Sequence, residues 1–396
     1  MASNVAPDDL EQWKTDHLFL LVGANPLPNY VAGCLLTRSG SRIHLLHTDS
    51  SGMIAAAIKS ALDEDARERT IILREIDEAN EGRIVQQMGT ILREVSGSVG
   101  LNYTGGTKPM ATHVYRTIQQ QFPNAIFSYL NARTLALLVD QHGDKPAQTI
   151  PVATRVQVTL ERLVGMHGYY ITRQNRELKC LSLANALAIV HATPEGFAEW
   201  RKYLREDLTG MPALEKYPLL KPVADTFIQL CGNPNPTVAQ MAQLLGFDTL
   251  TSCRTWLMGT WLEEYTYDQL HQASQNFSLT DTGLGVTLKK NKSTTTIDID
   301  LAAMFNYQLF ALSCQVSESS QLNKDHLFEV YARAQQLGGE EARSALICCE
   351  NNPLRLQNEI EELWYTSGHA RVFGRIHLPN LKGHLADWFK TANRQV

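Results

Sequence analysis

The chain has little that would tie it to a membrane or to an oxidising compartment. Its seven cysteines are scattered and odd in number, and only Cys348 and Cys349 lie close together. No CxxC or Cys/His spacing is present, which argues against a disulfide framework and a zinc site and predicts reduced thiols in a cytoplasm. No apolar run reaches the ~20 residues of a membrane span, so no membrane partner is expected. The opening residues, MASNVAPDDLEQWKTD, are polar and acidic, without a signal-peptide core. Positive charge is not in excess either: 36 Lys and Arg face 41 Asp and Glu, a net charge of −5. Any grip on phosphate therefore has to be local. GxxxxGK[ST] and GxGxxG are both missing, which excludes the Walker A and dinucleotide routes to a nucleotide.

What is present is a 396-residue chain, enough for two or three domains with cores of their own. Residues 1–150 alternate apolar runs (17–23, 42–48, 99–104, 125–131, 134–140) with segments of helical period. That alternation predicts an α/β domain with a doubly wound, Rossmann-like parallel sheet. Ligands of such sheets sit beyond the carboxyl ends of the strands. Three loops fall there: GANPLPN (23–29), TDSSG (48–52) and NYTGGTKP (102–109). The third opens a helix, whose free N–H groups and positive dipole end suit phosphate. Gly105 and Gly106 would let the backbone approach a ligand closely. Thr104 and Thr107 offer hydroxyls and Lys108 a compact charge, while a simple glycine turn with an N-cap is the plainer alternative.

From 151 to 245 the chain reads as a linker and helical region. RVQVTLERLVGMHGYYI fits either paired strands or a strand plus a short helix, and CGNPNPT (231–237) reads as a turn. TVAQMAQLLGF and SCRTWLMGTWLEEYTYDQLHQ follow as two helices in helix-turn-helix style. As a DNA reader the second would carry one basic residue, Arg254, and two core-like tryptophans, too little Lys/Arg for that role. Residues 246–396 continue with strand-like FSLTDTG and VTLKKN. A hairpin is expected within TTTIDIDLAAMFNYQLFALSCQVS, then helix, strand and helix. Asp298 and Asp300, two apart on a strand, point to one face and make an oxygen-rich site for Mg²⁺ or Mn²⁺. His44 and His47, three apart, face opposite sides and do not share a metal. His167 reads as structural, and Cys314 as a packed thiol with no histidine in its motif to activate it.

NYTGGTKPMA, with NPLPN and TDSSG, resembles the signature of CARF domains, the sensors of cyclic oligoadenylates in type III CRISPR immunity. WLEEY (261–265) and IDID (297–300) are similar to the PD-(D/E)xK nuclease domain fused to CARF in one branch of that family. The resemblance implies a CARF domain over 1–150 and a restriction-endonuclease-like α/β domain over 246–396. It implies a cyclic oligoadenylate, cyclic tetra-adenylate for choice, bound across a homodimer and activating metal-dependent cleavage of DNA or RNA. Carried over, Asn102, Thr104, Gly105, Gly106, Thr107 and Lys108 form the main cradle. Asn25, Pro26 and Asn29 line one side, and Thr48, Ser50 and Ser51 contact adenine or ribose. At the nuclease, Asp300 is the central metal ligand with Asp298 and Glu263 in support.

One departure matters. Where the family has Glu-x-Lys, this chain reads Ser313, Cys314, Gln315. Serine cannot act as a charged ligand, and glutamine cannot supply lysine's charge, although its amide can orient a water. Either Glu263, Glu264 or Glu318 completes a weaker site, with Lys324 as a displaced lysine, or the nuclease is degenerate. In the second case the protein sequesters the messenger, regulates a partner, or slowly cleaves its own ring with Lys108 and Thr107 stabilising the transition state.

Overall fold

The computed structural model describes residues 10–65, 68–141, 147–175, 177–205, 216–290, 293–364 and 368–392. Within the first 151 residues, seven strands alternate with four helices. They are β1 (Thr15–Leu21), α1 (Leu27–Leu35), β2 (Thr37–His47), α2 (Gly52–Asp63), β3 (Thr70–Glu75), α3 (Glu81–Leu92), β4 (Val99–Asn102), α4 (Lys108–Gln121), β5 (Ile126–Asn131), β6 (Ala136–Gln141) and β7 (Gln148–Pro151). Their order is β3-β2-β1-β4-β5-β6-β7, parallel through β5 and antiparallel at β6 and β7. The chain reverses between β1 and β4, so the loops after these two strands meet at the switch point of a doubly wound sheet. The α/β expectation holds. β3 and β7 were not anticipated: both are short, and each buries a single residue, Ile71 and Ile150, so neither carries a long buried run.

The rest of the chain builds a second sheet with helices on both faces. It begins with α5 (Leu160–Met166) and β8 (Tyr169–Asn175), then α6 (Leu181–His191), α7 (Pro194–Arg205), α8 (Lys221–Cys231), α9 (Val238–Leu244) and α10 (Leu250–Thr255). A π turn over Trp256–Thr260 leads into α11 (Trp261–Ala273). β9 (Asp281–Lys290), β10 (Thr296–Phe305), β11 (Gln308–Gln315), α12 (Ser320–Gly338), β12 (Arg343–Cys348), α13 (Pro353–Trp364), β13 (Ala370–Phe373) and α14 (Leu381–Thr391) complete it. The strand order is β13-β12-β11-β10-β9-β8. β10 and β11 form the expected hairpin, turning at Asn306, whose φ is +61°. Two readings change. The two strands expected over 277–291 are one, β9, kinked at Gly285 (φ +57°) where Asn175 packs against it. Residues 169–175, at the end of a stretch read as paired strands or a strand plus a short helix, form the edge strand β8 after α5, which adds a strand of the second sheet from within 151–245.

Three apolar clusters hold the molecule together. One fills the side of the first sheet under α3 and α4, through Phe19, Met88, Leu101 and Met110. Another packs α6, α11 and α14 on the second sheet and takes in the fully buried Trp261. The third runs from α1 and α2 through α5 to Val286, Met304 and Leu327, so it belongs to both sheets. Burying apolar surface across that junction fixes the two halves on one another.

Candidate functional site

The first loop pair is built by glycine. A Cβ on Gly105 would overlap the Leu21 carbonyl oxygen, and one on Gly106 (φ +76°) would lie 2.9 Å from the Leu21 side chain. A Cβ on Gly23 would come within 3.0 Å of the Gly106 nitrogen. The glycines therefore let the loops after β1 and β4 lie against each other, which the sequence had assigned to contact with ligand. Most polar residues there are also engaged inwardly. Asn102 is fully buried and donates to Ser128 Oγ (3.1 Å), and Asn29, equally buried, donates to the Leu21 carbonyl (3.0 Å). Thr104 Oγ1 accepts from the Leu130 N–H (2.7 Å). Thr107 is the N-cap of α4, accepting from the Met110 N–H while donating to the Glu78 carbonyl. Thr48, Ser50 and Ser51 bond one another. Pro26 is buried just ahead of α1. Lys108 is different: it is exposed at the first turn of α4 and has no ion pair among the described residues.

Asn25 carries a contact that sequence reasoning missed. Its Nδ2 donates to Glu341 Oε2 at 3.0 Å, beyond the end of α12. Burial pushes the Glu341 carboxyl up to about 7. The Glu341 carbonyl in turn accepts from Gln308 Nε2 (2.6 Å), at the first residue of β11. GGEEARS offers only a glycine-rich turn before a strand, and no local pattern marks its glutamate as an interdomain partner.

The nuclease residues lie at the other end of β10 and β11. The pairing of Leu301 with Leu312 puts Ser313 opposite Asp300. Asp300 Oδ2 accepts from Ser313 Oγ (2.9 Å) and the Cys314 N–H (2.8 Å). Glu263 projects from the first turn of α11, just after the π turn, and π turns often occur at functional sites. Burial, and then the Asp300 charge, push its carboxyl up to about 8, against a downward pull from Arg173. Asp298 is exposed and turned to Thr287 Oγ1 (2.6 Å). Among the described residues no three His, Cys, Asp or Glu side chains stand together as a metal set. Glu263 and Asp300 fit a divalent cation as a pair, since a cation relieves their mutual repulsion. The third carboxylate is not beside them.

The suggested substitutes are occupied elsewhere. Glu264 accepts from Trp256 Nε1 and from the Lys179 and Cys180 N–H groups. Glu318 pairs with the buried Arg375, and Lys324 pairs with Glu359. Cys314 is packed inward, its thiol pushed well above the usual range by burial. Of the other histidines set aside above, His44 is buried against His17 (3.0 Å) and stacks on Phe19. Glu263, Cys314 and Gln315 open into a cleft of about 650 Å³ that also holds Arg201, Arg205 and Arg254. None of these arginines has a carboxylate partner among the described residues, so the cleft presents cationic side chains around Glu263, the one acid that lines it among those residues. His191 lines it too: its Nδ1 donates to the Leu187 carbonyl (2.7 Å), its Nε2 has no partner among the described residues, and burial draws it down to about 4.

Residues 251–392 match the family model described as Card1-like, endonuclease domain. Two solved structures share the fold over nearly the whole chain. Can2 from Sulfobacillus thermosulfidooxidans, in complex with cyclic tetra-adenylate, aligns with a TM-score of 0.70 at 14% identity, over 96% of this chain and 98% of that one. Protein VC1899 from Vibrio cholerae aligns with a TM-score of 0.71 at 16% identity, over 95% and 98%. Residues 251–392 are thus similar to a Card1-like endonuclease domain, and the two-sheet fold of the chain is that of the Can2 and VC1899 structures. A comparison with curated proteins finds no match. Among the described residues no helix is long and apolar enough to cross a membrane.

Proposed function

We propose that this chain binds a cyclic oligoadenylate at the β1 and β4 loops and, in response, cleaves nucleic acid slowly at the Glu263–Asp300 cleft, as an effector in type III CRISPR defence. The observation that carries the proposal is the Asn25–Glu341 hydrogen bond. It ties a ligand loop to the turn whose carbonyl holds the first residue of β11, and β11 bears Ser313 and Gln315. A ligand that competes for Asn25 changes what Glu341 can bond, and a buried carboxyl left without its donor is costly. That is a physical route from loop to nuclease strand, and it contributes coupling only to the extent that ligand favours one arrangement over the other.

At the loops, Lys108 supplies the free charge for a phosphate, and the N–H groups opening α4 support it. Two subunits presenting the same loops would grip a ring of matching symmetry, so a homodimer is the natural assembly. At the nuclease cleft, Glu263 and Asp300 would hold Mg²⁺ or Mn²⁺, which supplies charge stabilisation at the attacked phosphate when bound. The chain's own part is to seat the strand on Arg201, Arg205 and Arg254 and to orient a water with the Gln315 amide. DNA and RNA both present the phosphates this cleft addresses.

Calorimetry of the full chain with cyclic tetra- and hexa-adenylate tests the binding half. Heat with one ring per dimer is expected, reduced in Lys108→Ala; no heat with either ring contradicts it. Light scattering of the same samples should give a dimer. A second reading, a binding protein with a silent nuclease, is favoured by one observation: the Ser313 hydroxyl and Cys314 N–H already satisfy Asp300 without a cation. A protein that binds the ring and leaves DNA and RNA intact would establish it.

A further inference from the structure

A second cleft, of about 680 Å³, adjoins the first at the π turn. Thr255 and Thr260 line both clefts, so the residues before and at the end of that turn form a shared wall. Glu263 lines the first cleft and its neighbour Glu264 the second. Beyond the wall the second cleft holds Arg173 from β8 and Lys179 from the approach to α6. Both cations are exposed, and neither has a carboxylate partner among the described residues. Glu264 is spent inwardly: one oxygen accepts from Trp256 Nε1 (2.8 Å), the other from the Lys179 and Cys180 N–H groups. Glu177, at the exposed rim, is the other acid there among those residues.

Arg173 links this cleft to the acids of the first. It pairs with Thr287 on β9, and Thr287 pairs with Asp298 on β10 and donates to its carboxylate (2.6 Å). The three therefore stand in one row across the sheet. Register shifts flank Arg173 on the edge strand, and irregularities of that kind re-aim side chains beside active sites. Burial and the Asp300 charge raise the Glu263 carboxyl, and the Arg173 charge pulls against them. A guanidinium of the second cleft thus acts on an acid of the first. It carries no hydrogen bond or ion pair among the described residues, and its planar fork of N–H donors matches a phosphate. β11 brings no cation to this point, only Ser313, Cys314 and Gln315. Lys179 is held further along: its Nζ donates to the Gly246 carbonyl (3.1 Å) and lies 5.2 Å from the centre of the Phe247 ring. One of its three donors is used there, which leaves two.

We propose that the second cleft is a nucleic-acid subsite: the strand seated on Arg201, Arg205 and Arg254 crosses the wall at Thr255 and Thr260, sets the phosphate next to the scissile one on Arg173, and sets a phosphate beyond it on Lys179. The Thr255 and Thr260 hydroxyls have no hydrogen bond among the described residues and can donate to the backbone as it crosses. The subsite rests on the function proposed above, since it extends the same strand, and it adds residues which that reading does not use.

The test is fluorescence anisotropy of labelled DNA and RNA oligonucleotides on the full-length protein, with cyclic tetra-adenylate present and without metal, over a series of salt concentrations. Wild type is compared with Arg173→Gln, Lys179→Gln, Lys179→Arg and Arg201→Gln, and with Lys59→Gln on α2 of the first domain as a control. Arg173 and Lys179 are exposed, and thermal melts matching wild type confirm that their variants fold. Arg173→Gln and Lys179→Gln are each expected to weaken binding about tenfold. Each should also lower the steepness of log affinity against log salt by about one, the mark of one lost phosphate contact. Lys179→Arg should keep the wild-type slope, and Lys59→Gln should change nothing. A wild-type slope in Arg173→Gln or Lys179→Gln overturns the subsite, and loss of binding in Arg201→Gln alongside it leaves the first cleft standing. An equal fall in Lys59→Gln reports net charge alone and also overturns the subsite. No binding by wild type overturns both readings.

Discussion

The sensor loops, singled out as small, polar stretches after strands, and the nuclease residues, singled out from WLEEY and IDID, spend their polar groups in different ways. In the loops, Asn29, Asn102, Thr104 and Thr107 are bonded inwardly and hold the backbone in shape. Lys108 is left facing outward, with Asp49 of the neighbouring loop the other exposed charge. In the nuclease cleft, Glu263 and Asp300 oppose one another, and the arginines nearby are unpaired among the described residues. A satisfied loop is a rigid platform that positions a few free groups. In the cleft, Asp300 Oδ2 is held by Ser313 and the Cys314 N–H, while burial and the Asp300 charge keep the Glu263 carboxyl raised, an opposition that a cation can relieve. Polar residues in a motif are therefore of two kinds, and only the structure separates them.

Substitutions in each region sharpen this contrast. The largest effect is expected from Gly105→Val, which drives a side chain into the Leu21 carbonyl. It should destabilise the fold by about 3 kcal/mol or more, through overpacking at a close backbone approach, seen as a lower midpoint in urea; an unchanged midpoint would break the platform description. Lys108→Ala should leave that midpoint alone and weaken cyclic tetra-adenylate binding about tenfold, the worth of one charge-assisted hydrogen bond. Asn25→Ala should leave binding within a few-fold but reduce the ligand's effect on cleavage.

The smallest effect is a dependence on pH. Glu263 is held up to about 8 and Glu341 up to about 7, so the native state keeps protons that the unfolded chain loses near its ordinary carboxyl value of 4.5. Their contribution is fully present below about pH 4.5 and is lost as pH rises toward 8. Thermal stability without added metal should fall across that window. Glu263→Gln should raise stability at pH 8 by about 1 kcal/mol and change little at pH 4.5. Equal shifts at both values would show that Glu263 titrates normally.

Much of this was legible beforehand, and the boundary is physical. The parallel strands of the first sheet are apolar runs with their own period, and the hairpin at Asn306 follows from two such runs. The Ser313 and Gln315 departure was also readable, because a missing charge is visible in a sequence. The role of Gly105 was not, since a glycine that packs on another loop and one that packs on a ligand look alike. Nor were Asn25–Glu341, 316 residues apart, or the bond from Thr287 Oγ1 that engages Asp298 from the neighbouring strand. Arg201 and Arg205 carry no motif of their own; the fold brings them to Arg254 in one cleft.

Ligand control of cleavage at Glu263 and Asp300 is tested most directly by a nuclease assay. Full-length protein with Mn²⁺ is mixed with single-stranded DNA, RNA and supercoiled plasmid, with and without cyclic tetra-adenylate, alongside Asp300→Ala. Slow cleavage of at least one substrate that requires the ligand and disappears in Asp300→Ala is the predicted result. Cleavage indifferent to ligand, cleavage equal in both proteins, or no cleavage by wild type would contradict it.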